Sequence, residues 1–279
     1  MLKQRVITAL VLMALLLPAL FASSAWPFAV LTLVMIGAAG WEWARLNGAA
    51  SSSSITLGVL LALACAASLQ AGWTASAPRL LWWVAMLVWV LGGAWMLRRG
   101  PAAWPRVPRW LRVVIGLAIL WAAWLALAGA RAVGINFILS IFCLVWVADI
   151  AAYFGGKAFG RRKLAPAISP GKSWEGVWSG MAGAVVLGAV WLLAIDPHLA
   201  VDSTSLYTQV QGRLGWPGLI LVIALLAAMS VVGDLFESLV KRSAGAKDSS
   251  ALLPGHGGVL DRVDALLPVF PIALALVSL

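Results

Sequence analysis

Five of the chain's ten acidic residues fall between Gly233 and Asp264: Asp234, Glu237, Asp248, Asp261 and Asp264. Four bases are interleaved with them, Lys241, Arg242, Lys247 and Arg262. In a helix, Asp234, Glu237 and Lys241 stand at i, i+3 and i+7 and share a face, and Asp261 and Asp264 share one in the same way. Carboxylates with no cysteine among them and a single histidine, His256, suit a hard, oxygen-preferring cation such as Mg²⁺. Magnesium takes one or two carboxylates and completes its shell with water and substrate phosphate oxygens. The four bases would offset the remaining phosphate charge. The loop Pro254-Gly255-His256-Gly257-Gly258 lets backbone approach a ligand closely, most of all at Gly257 and Gly258. Together these parts describe a site for a phosphate-rich substrate.

A second cluster lies upstream. It holds Asp149, Tyr153, the basic run from Lys157 to Lys163, and Ser169-Pro170-Gly171-Lys172-Ser173-Trp174-Glu175-Gly176. Gly171-Lys172-Ser173 has the ending of a P-loop, but the glycine required five residues before Gly171 is Pro166, and no strand is expected before it. Lys172 is expected to meet anionic phosphate outside a P-loop fold. Asp149, inside an apolar run, is either catalytic or the partner of Lys172.

These residues must be positioned by membrane helices. Of the 279 residues 63% are apolar and only 11% charged, against about 45–50% and about 25% in ordinary soluble domains. The expected class is an all-α polytopic membrane protein. A crossing needs about 20 apolar residues, and nine candidate spans follow: Val6–Phe21, Trp26–Arg45, Ile55–Trp73, Leu80–Leu97, Leu111–Ala128, Ile135–Phe154, Val177–Ile195, Pro217–Phe236 and Ala265–Leu279. The last is short and carries Pro268 and Pro271. With the N-terminus cytoplasmic and the spans alternating, 17 of the 20 Lys and Arg fall on the cytoplasmic side. Only Arg79, Arg131 and Arg213 fall outside, which is the positive-inside pattern. Tryptophans near span ends (Trp26, Trp73, Trp104, Trp110, Trp174, Trp216) suit an interfacial belt. The net charge of +10 therefore marks a membrane face and not a nucleic-acid partner.

Several further readings bear on organisation. Lys3, Arg5, the apolar stretch after them and Ala22-Ser23-Ser24-Ala25 resemble a secretory signal, but continuing spans make an uncleaved first helix the simpler reading. Cys65 and Cys143 lie in apolar runs and read as small buried hydrophobes. The chain divides at about residue 131. The first part (1–131) carries five spans and one acid, Glu42; the second (132–279) carries four spans and the chemistry. No internal repeat is visible, which weakens a transporter built on repeats.

The pattern Ser238-Leu-Val-Lys-Arg, Lys247-Asp248-Ser249, Pro254-Gly-His-Gly-Gly and Asp261-Arg262-Val263-Asp264 resembles the signature of phosphatidate cytidylyltransferases (CDP-diacylglycerol synthases). The resemblance extends to Gly233-Asp234-Leu235, Glu237, Asp149, Tyr153, Gly156, Ser169-Pro170, Lys172 and Trp174-Glu175-Gly176. Gly171 departs from it, since many relatives have Lys or Arg there. The resemblance covers residues 140–279 strongly, and the first half only as generic membrane helices. It implies an integral membrane enzyme that uses CTP and phosphatidate to make CDP-diacylglycerol and pyrophosphate, with Mg²⁺, a second cation beside it, and a homodimer. It points to Asp234 and Asp261 as metal ligands.

The remaining residues take roles around that centre. Lys241, Arg242, Lys247 and Arg262 are expected on phosphate. His256 is expected to contact phosphate or hold the loop. Phosphatidate is a phosphate monoester with a second pKa near 6, so its nucleophile needs little deprotonation. Asp248 belongs to the same catalytic loop. Asp149, Tyr153, Ser169, Lys172, Glu175, Glu237, Gly257, Gly258 and Asp264 are expected around the substrates. The expected location is the inner membrane, with the site facing the cytoplasm. Rival readings are another lipid-phosphate or polyprenol transferase, and an anion transporter. The transporter would need bases along a path through the bilayer, and here they gather on one face.

Overall fold

The computed structural model describes residues 2–199 and 201–278, with side chains from residue 4 onward. The side chain of Lys3, counted above among the bases of one face, and Leu279, the end of the last expected span, lie outside what is described.

Among the described residues eight helices are long and apolar enough to cross a bilayer. They are α1 (Leu2–Phe21), α2 (Trp26–Leu46), α3 (Ser51–Gln70), α4 (Arg79–Arg99), α5 (Arg109–Val133), α6 (Ile135–Phe159), α7 (Trp174–His198) and α8 (Leu206–Ser243). Seven of them contain the corresponding expected span, and α3 covers the third only to Gln70, because Gly72 at φ 75° ends the run before Trp73. In α8, Gly215 interrupts the helix at φ 65°, a conformation glycine adopts without strain. Pro217 then falls in the first turn of the restarted helix, where its missing N–H costs nothing.

The ninth expected span differs in kind. After the short α9 (Leu260–Val263), α10 (Leu266–Val277) has 12 residues. That is about 18 Å of helix against a hydrocarbon core of about 30 Å. Its Leu267 to Ala273 are all buried, and it packs on α4, α5, α6 and α8. Other helices, not lipid, cover its apolar surface. Pro268 sits in its first turn, where no intrahelical donor is needed.

The bundle is helical as expected, with one small hairpin added outside the helices. Strands β1 (Lys163–Ala165) and β2 (Ser169–Ser173) form an antiparallel hairpin with Lys163 opposite Ser173 and Ala165 opposite Ser169. The Gly-Lys-Ser run therefore lies in a strand that leads directly into α7. Ser173 caps that helix by accepting from Gly176 N at 3.2 Å, the usual role of a serine at an N-cap.

Both ends of the bundle are tied across the chain. At the site end, Arg5 Nε donates to Gly255 O (3.0 Å), Thr8 to Pro254 O (2.8 Å) and Arg45 to Ser249 O (2.6 Å). At the far end, the buried Arg131 donates to Leu20 O and Ala22 O. It satisfies carbonyls left over at the end of α1 and is not a charge free in an outer loop. Trp104 also departs from expectation. It is buried, donates to Asn47 Oδ1 at 2.9 Å, and packs edge-on against Trp43 and Phe236. The other five belt tryptophans are exposed or partly exposed. Cys65 and Cys143 are free.

Candidate active site

The two sequence clusters meet at one end of the bundle. Lys172, carried by β2, reaches Asp234 on α8 with Nζ to Oδ2 at 2.6 Å. One helical turn on, Lys241 Nζ lies 2.5 Å from Glu237 Oε2 and 2.5 Å from Asp261 Oδ1. The i, i+3, i+7 face of α8 therefore exists, and two lysines from different elements face it. Asp149 on α6 lies within electrostatic reach of Lys172 and Asp234, and Asp264 within reach of Asp234, Lys172 and Lys241. Asp149 is exposed, although it lies ten residues before the end of α6, about 15 Å along the helix.

Local packing sets these positions. Gly233 lets α8 touch the α9–α10 junction: a Cβ there would stand 2.3 Å from Asp264 O and 2.9 Å from Pro268. That close approach puts Asp234 beside Asp264. Burial, then the Asp234 carboxylate, push Asp264 up to about 7.

Asp261 is held differently. Its Oδ2 accepts from Ser249 N (2.8 Å), Ser249 Oγ (2.7 Å) and Gly258 N (2.8 Å), while Oδ1 takes Lys241. Burial works against its charge, but the Lys241 ammonium, the Ser249 hydroxyl and the two backbone donors outweigh it and hold Asp261 down to about 2.

The cluster has an imbalance. Asp149, Asp234, Glu237, Asp261 and Asp264 face two ammonium groups, Lys172 and Lys241. Glu237 is buried, and its Oε1 has no hydrogen-bond partner among the described residues. Uncompensated carboxylates gathered in one cluster are costly, and a divalent cation relieves the cost. Among the described residues no three metal-ligating side chains converge to hold an ion by themselves. Magnesium needs less, one or two carboxylates plus water and phosphate oxygens, so these residues fit a cation that arrives with its phosphate substrate.

The other expected residues sit around this centre. Arg242 donates to Ile168 O and Ala246 O, both at 3.4 Å, and ties α8 to the hairpin. Glu175 accepts from Arg161 N (3.0 Å) and Arg162 N (3.2 Å) and so fixes the turn before β1. Ser169 lies in the hairpin pairing. Tyr153, Lys247, Asp248 and Arg262 are exposed. His256 N closes a turn on Leu253 O at 2.8 Å, while its buried Nδ1 has no partner among the described residues.

Sequence inspection missed Glu42. It is fully buried on α2, yet its carboxylate holds the loop between Ser249 and Leu260. Oε1 accepts from Ser250 Oγ and from Val259 N (3.0 Å); Oε2 accepts from Leu260 N (2.7 Å) and lies 3.2 Å from Ser249 Oγ, whose one proton goes to the nearer Asp261 Oδ2. The carboxylate thus caps α9, where the helix dipole favours negative charge. A Cβ at Gly258 would stand 2.1 Å from Ser249 Oγ and 2.3 Å from Glu42 Oε1, which explains the glycine. The available signal was a lone acid in an apolar span.

The chain from residue 3 to residue 279 matches the family model described as "Cytidylyltransferase family". The chain belongs to the cytidylyltransferase family. A protein of Pseudomonas aeruginosa named phosphatidate cytidylyltransferase is 41% identical over 99% of this chain and 97% of its own length. One of Haemophilus influenzae with the same name is 37% identical over 97% of this chain and 96% of its own length. One of Thermotoga maritima is 41% identical over 48% of this chain and 46% of its own. This cytidylyltransferase is similar to its full-length relatives in both halves, so the resemblance reaches past residues 140–279, including the helix that carries Glu42.

Proposed function

We propose that this cytidylyltransferase transfers CMP from CTP to phosphatidate, giving CDP-diacylglycerol and pyrophosphate. One observation carries the reading beyond the relatives' name. One end of the membrane bundle gathers five carboxylates and two lysines from α6, β2, α8 and the α9 region. A charged cluster at the end of membrane helices can serve a water-soluble nucleotide and a lipid phosphate at once.

In the reaction, an oxygen of the phosphatidate phosphate attacks the α-phosphorus of CTP. The bond from that phosphorus to the oxygen bridging to the β-phosphate breaks, and pyrophosphate leaves with the electron pair. The attacking phosphate is largely ionised at neutral pH, so no protein base is required and His256 serves the loop. Lys172 and Lys241, now held by carboxylates, turn to the phosphates when substrate arrives and stabilise the charge growing on the leaving group. Asp234 and Asp261 would hold Mg²⁺, with Asp264 beside Asp234, and the carboxylate excess leaves charge for a second cation. When bound, Mg²⁺ neutralises CTP phosphate charge.

The same reading orients the chain. It has nine passes, counting α10, an N-terminus in the cytoplasm, and the basic end, with the cluster, facing CTP on the cytoplasmic side of the inner membrane. The homodimer is carried over from the resemblance. The direct test is pyrophosphate release by purified protein given CTP, phosphatidate and Mg²⁺. Release that needs all three, and that Asp261→Ala loses, supports the reading. No release, or full activity in Asp261→Ala, refutes it.

A further inference from the structure

An apolar cavity of about 370 Å³ lies between α1, α2, α5, α6 and α10. Along α2 its wall runs from Phe28 to Ile36, about 12 Å of helix. Only two lining residues are polar, Thr32 and Arg262. Thr32 is already engaged, donating to Phe28 O (2.8 Å) and accepting from Trp124 Nε1 (3.2 Å). Arg262 is exposed, and none of the ion pairs among the described residues includes it. It closes the end of the cavity nearest the catalytic loop and follows Asp261 directly in the chain. The cavity also opens sideways: Leu15 on α1 and Trp146 on α6 line it and are 55% and 49% exposed.

We infer that this cavity seats one acyl chain of an anionic glycerolipid whose phosphate is held by Arg262. An apolar cavity stays dry and takes apolar ligands, and at about 30 Å³ per water-sized group this one has room for about a dozen methylenes. A guanidinium without a carboxylate partner, at the one polar end of such a cavity, selects a phosphate head over a zwitterionic one. The side opening admits the lipid from the bilayer without drawing its chains through water. The second chain stays among the bilayer lipids. The inference rests on the phosphatidate reading only for the identity of the lipid, because the seat and its charge are features of the cavity.

The experiment is photocrosslinking of the full-length protein in phosphatidylcholine vesicles, without CTP, using phosphatidate with a diazirine on one acyl chain. The inference expects labelled peptides from the Leu12–Leu16 and Leu31–Ile36 segments, competed by dipalmitoyl phosphatidate and not by dipalmitoyl phosphatidylcholine. Arg262→Gln should abolish that head-group preference. Labelling spread equally over α3, or labelling that phosphatidylcholine competes as well, would mean ordinary boundary lipid and would overturn the inference.

Turnover gives a second, separable measurement. Ala123→Phe fills the cavity, and Leu15→Trp narrows its exposed rim without entering the packed core. Both should raise the ratio of kcat/KM for dioctanoyl over dipalmitoyl phosphatidate at least tenfold. Ala64→Phe, on the exposed face of α3, should leave the ratio unchanged. An unchanged ratio in the folded Leu15→Trp protein would refute the seat. Labelling as expected in a protein that releases no pyrophosphate would leave the seat standing and reject the enzymatic reading. Pyrophosphate release with scattered labelling would do the reverse.

Discussion

The two ends of the bundle use similar polar residues to opposite effect. At the far end, Asn136 Nδ2 donates to Asp196 Oδ1 and Ser203 O, both at 2.8 Å, and Asn136 Oδ1 accepts from Trp191 Nε1 at 3.0 Å. Asp196 Oδ2 takes the hydroxyls of Ser205 and Thr208, and Asp202 accepts from Ile135 N and Asn136 N at the start of α6. Here each carboxylate oxygen has its donor, so the network holds helices together. At the site end five carboxylates share two lysines, and Glu237 Oε1 and His256 Nδ1 lack partners among the described residues. A satisfied polar network stabilises; an unsatisfied one is organised around something that binds there.

This contrast makes predictions that can break it. The largest effect is expected from Asp234→Asn, which should lower kcat by about 10²–10³-fold, the scale of removing one preorganised electrostatic contact. Its thermal midpoint in detergent should change little, because the Lys172–Asp234 pair it breaks is partly exposed and such pairs contribute about 0–1 kcal/mol. Full turnover would make the two ends equivalent and end the distinction.

Glu42→Ala tests whether the site end also depends on a satisfied part. It strips the acceptor from Val259 N, Leu260 N and the Ser250 hydroxyl, while Ser249 Oγ keeps Asp261 Oδ2, and each buried orphan costs about 1–3 kcal/mol. Turnover should fall about 10²-fold through misplacement of the loop. Glu42→Gln should recover part of it, since its amide oxygen still accepts. A variant that melts early but turns over normally would reduce Glu42 to a stability residue.

At the far end the effects should be purely structural. Asn136→Ala should cost about 1–3 kcal/mol of stability while kcat stays within about twofold, an assumed margin for a residue outside the cluster. A large kcat loss would couple the two ends. Asp202→Asn should cost less, about 0.5–1 kcal/mol, as an exposed helix-capping charge. Burial opposes the charge of Asp202, but the N–H groups of Asn136 and Ile135 and the Ser203 hydroxyl hold its pKa below the usual carboxylate range. A depressed folded pKa contributes stability above the unfolded value of about 3.9 and loses it as pH falls through the folded value. The gap between wild type and Asp202→Asn, followed by melting temperature, should therefore be full at pH 7 and shrink below about pH 4.

Much of this was legible from the chain alone. Long apolar runs set the eight crossing helices, because a span is a local property of composition and length. The signature from Ser238 to Asp264 identified the loop and its chemistry, because those residues are neighbours in sequence. The pairing of Lys172 with Asp234, the hold of Glu42 on Ser250 and the start of α9, and the burial of Trp104 and Arg131 were not legible. Each joins positions far apart in the chain, and no period or spacing encodes which helix packs on which. The apolar run with two prolines at the C-terminus read as a ninth span, and only packing shows α10 buried among four helices. The sequence by itself determined that this is a membrane bundle with phosphate chemistry near its C-terminal end. The tertiary structure decided which carboxylates stand together uncompensated, because electrostatic imbalance depends on distances between elements that local sequence does not set.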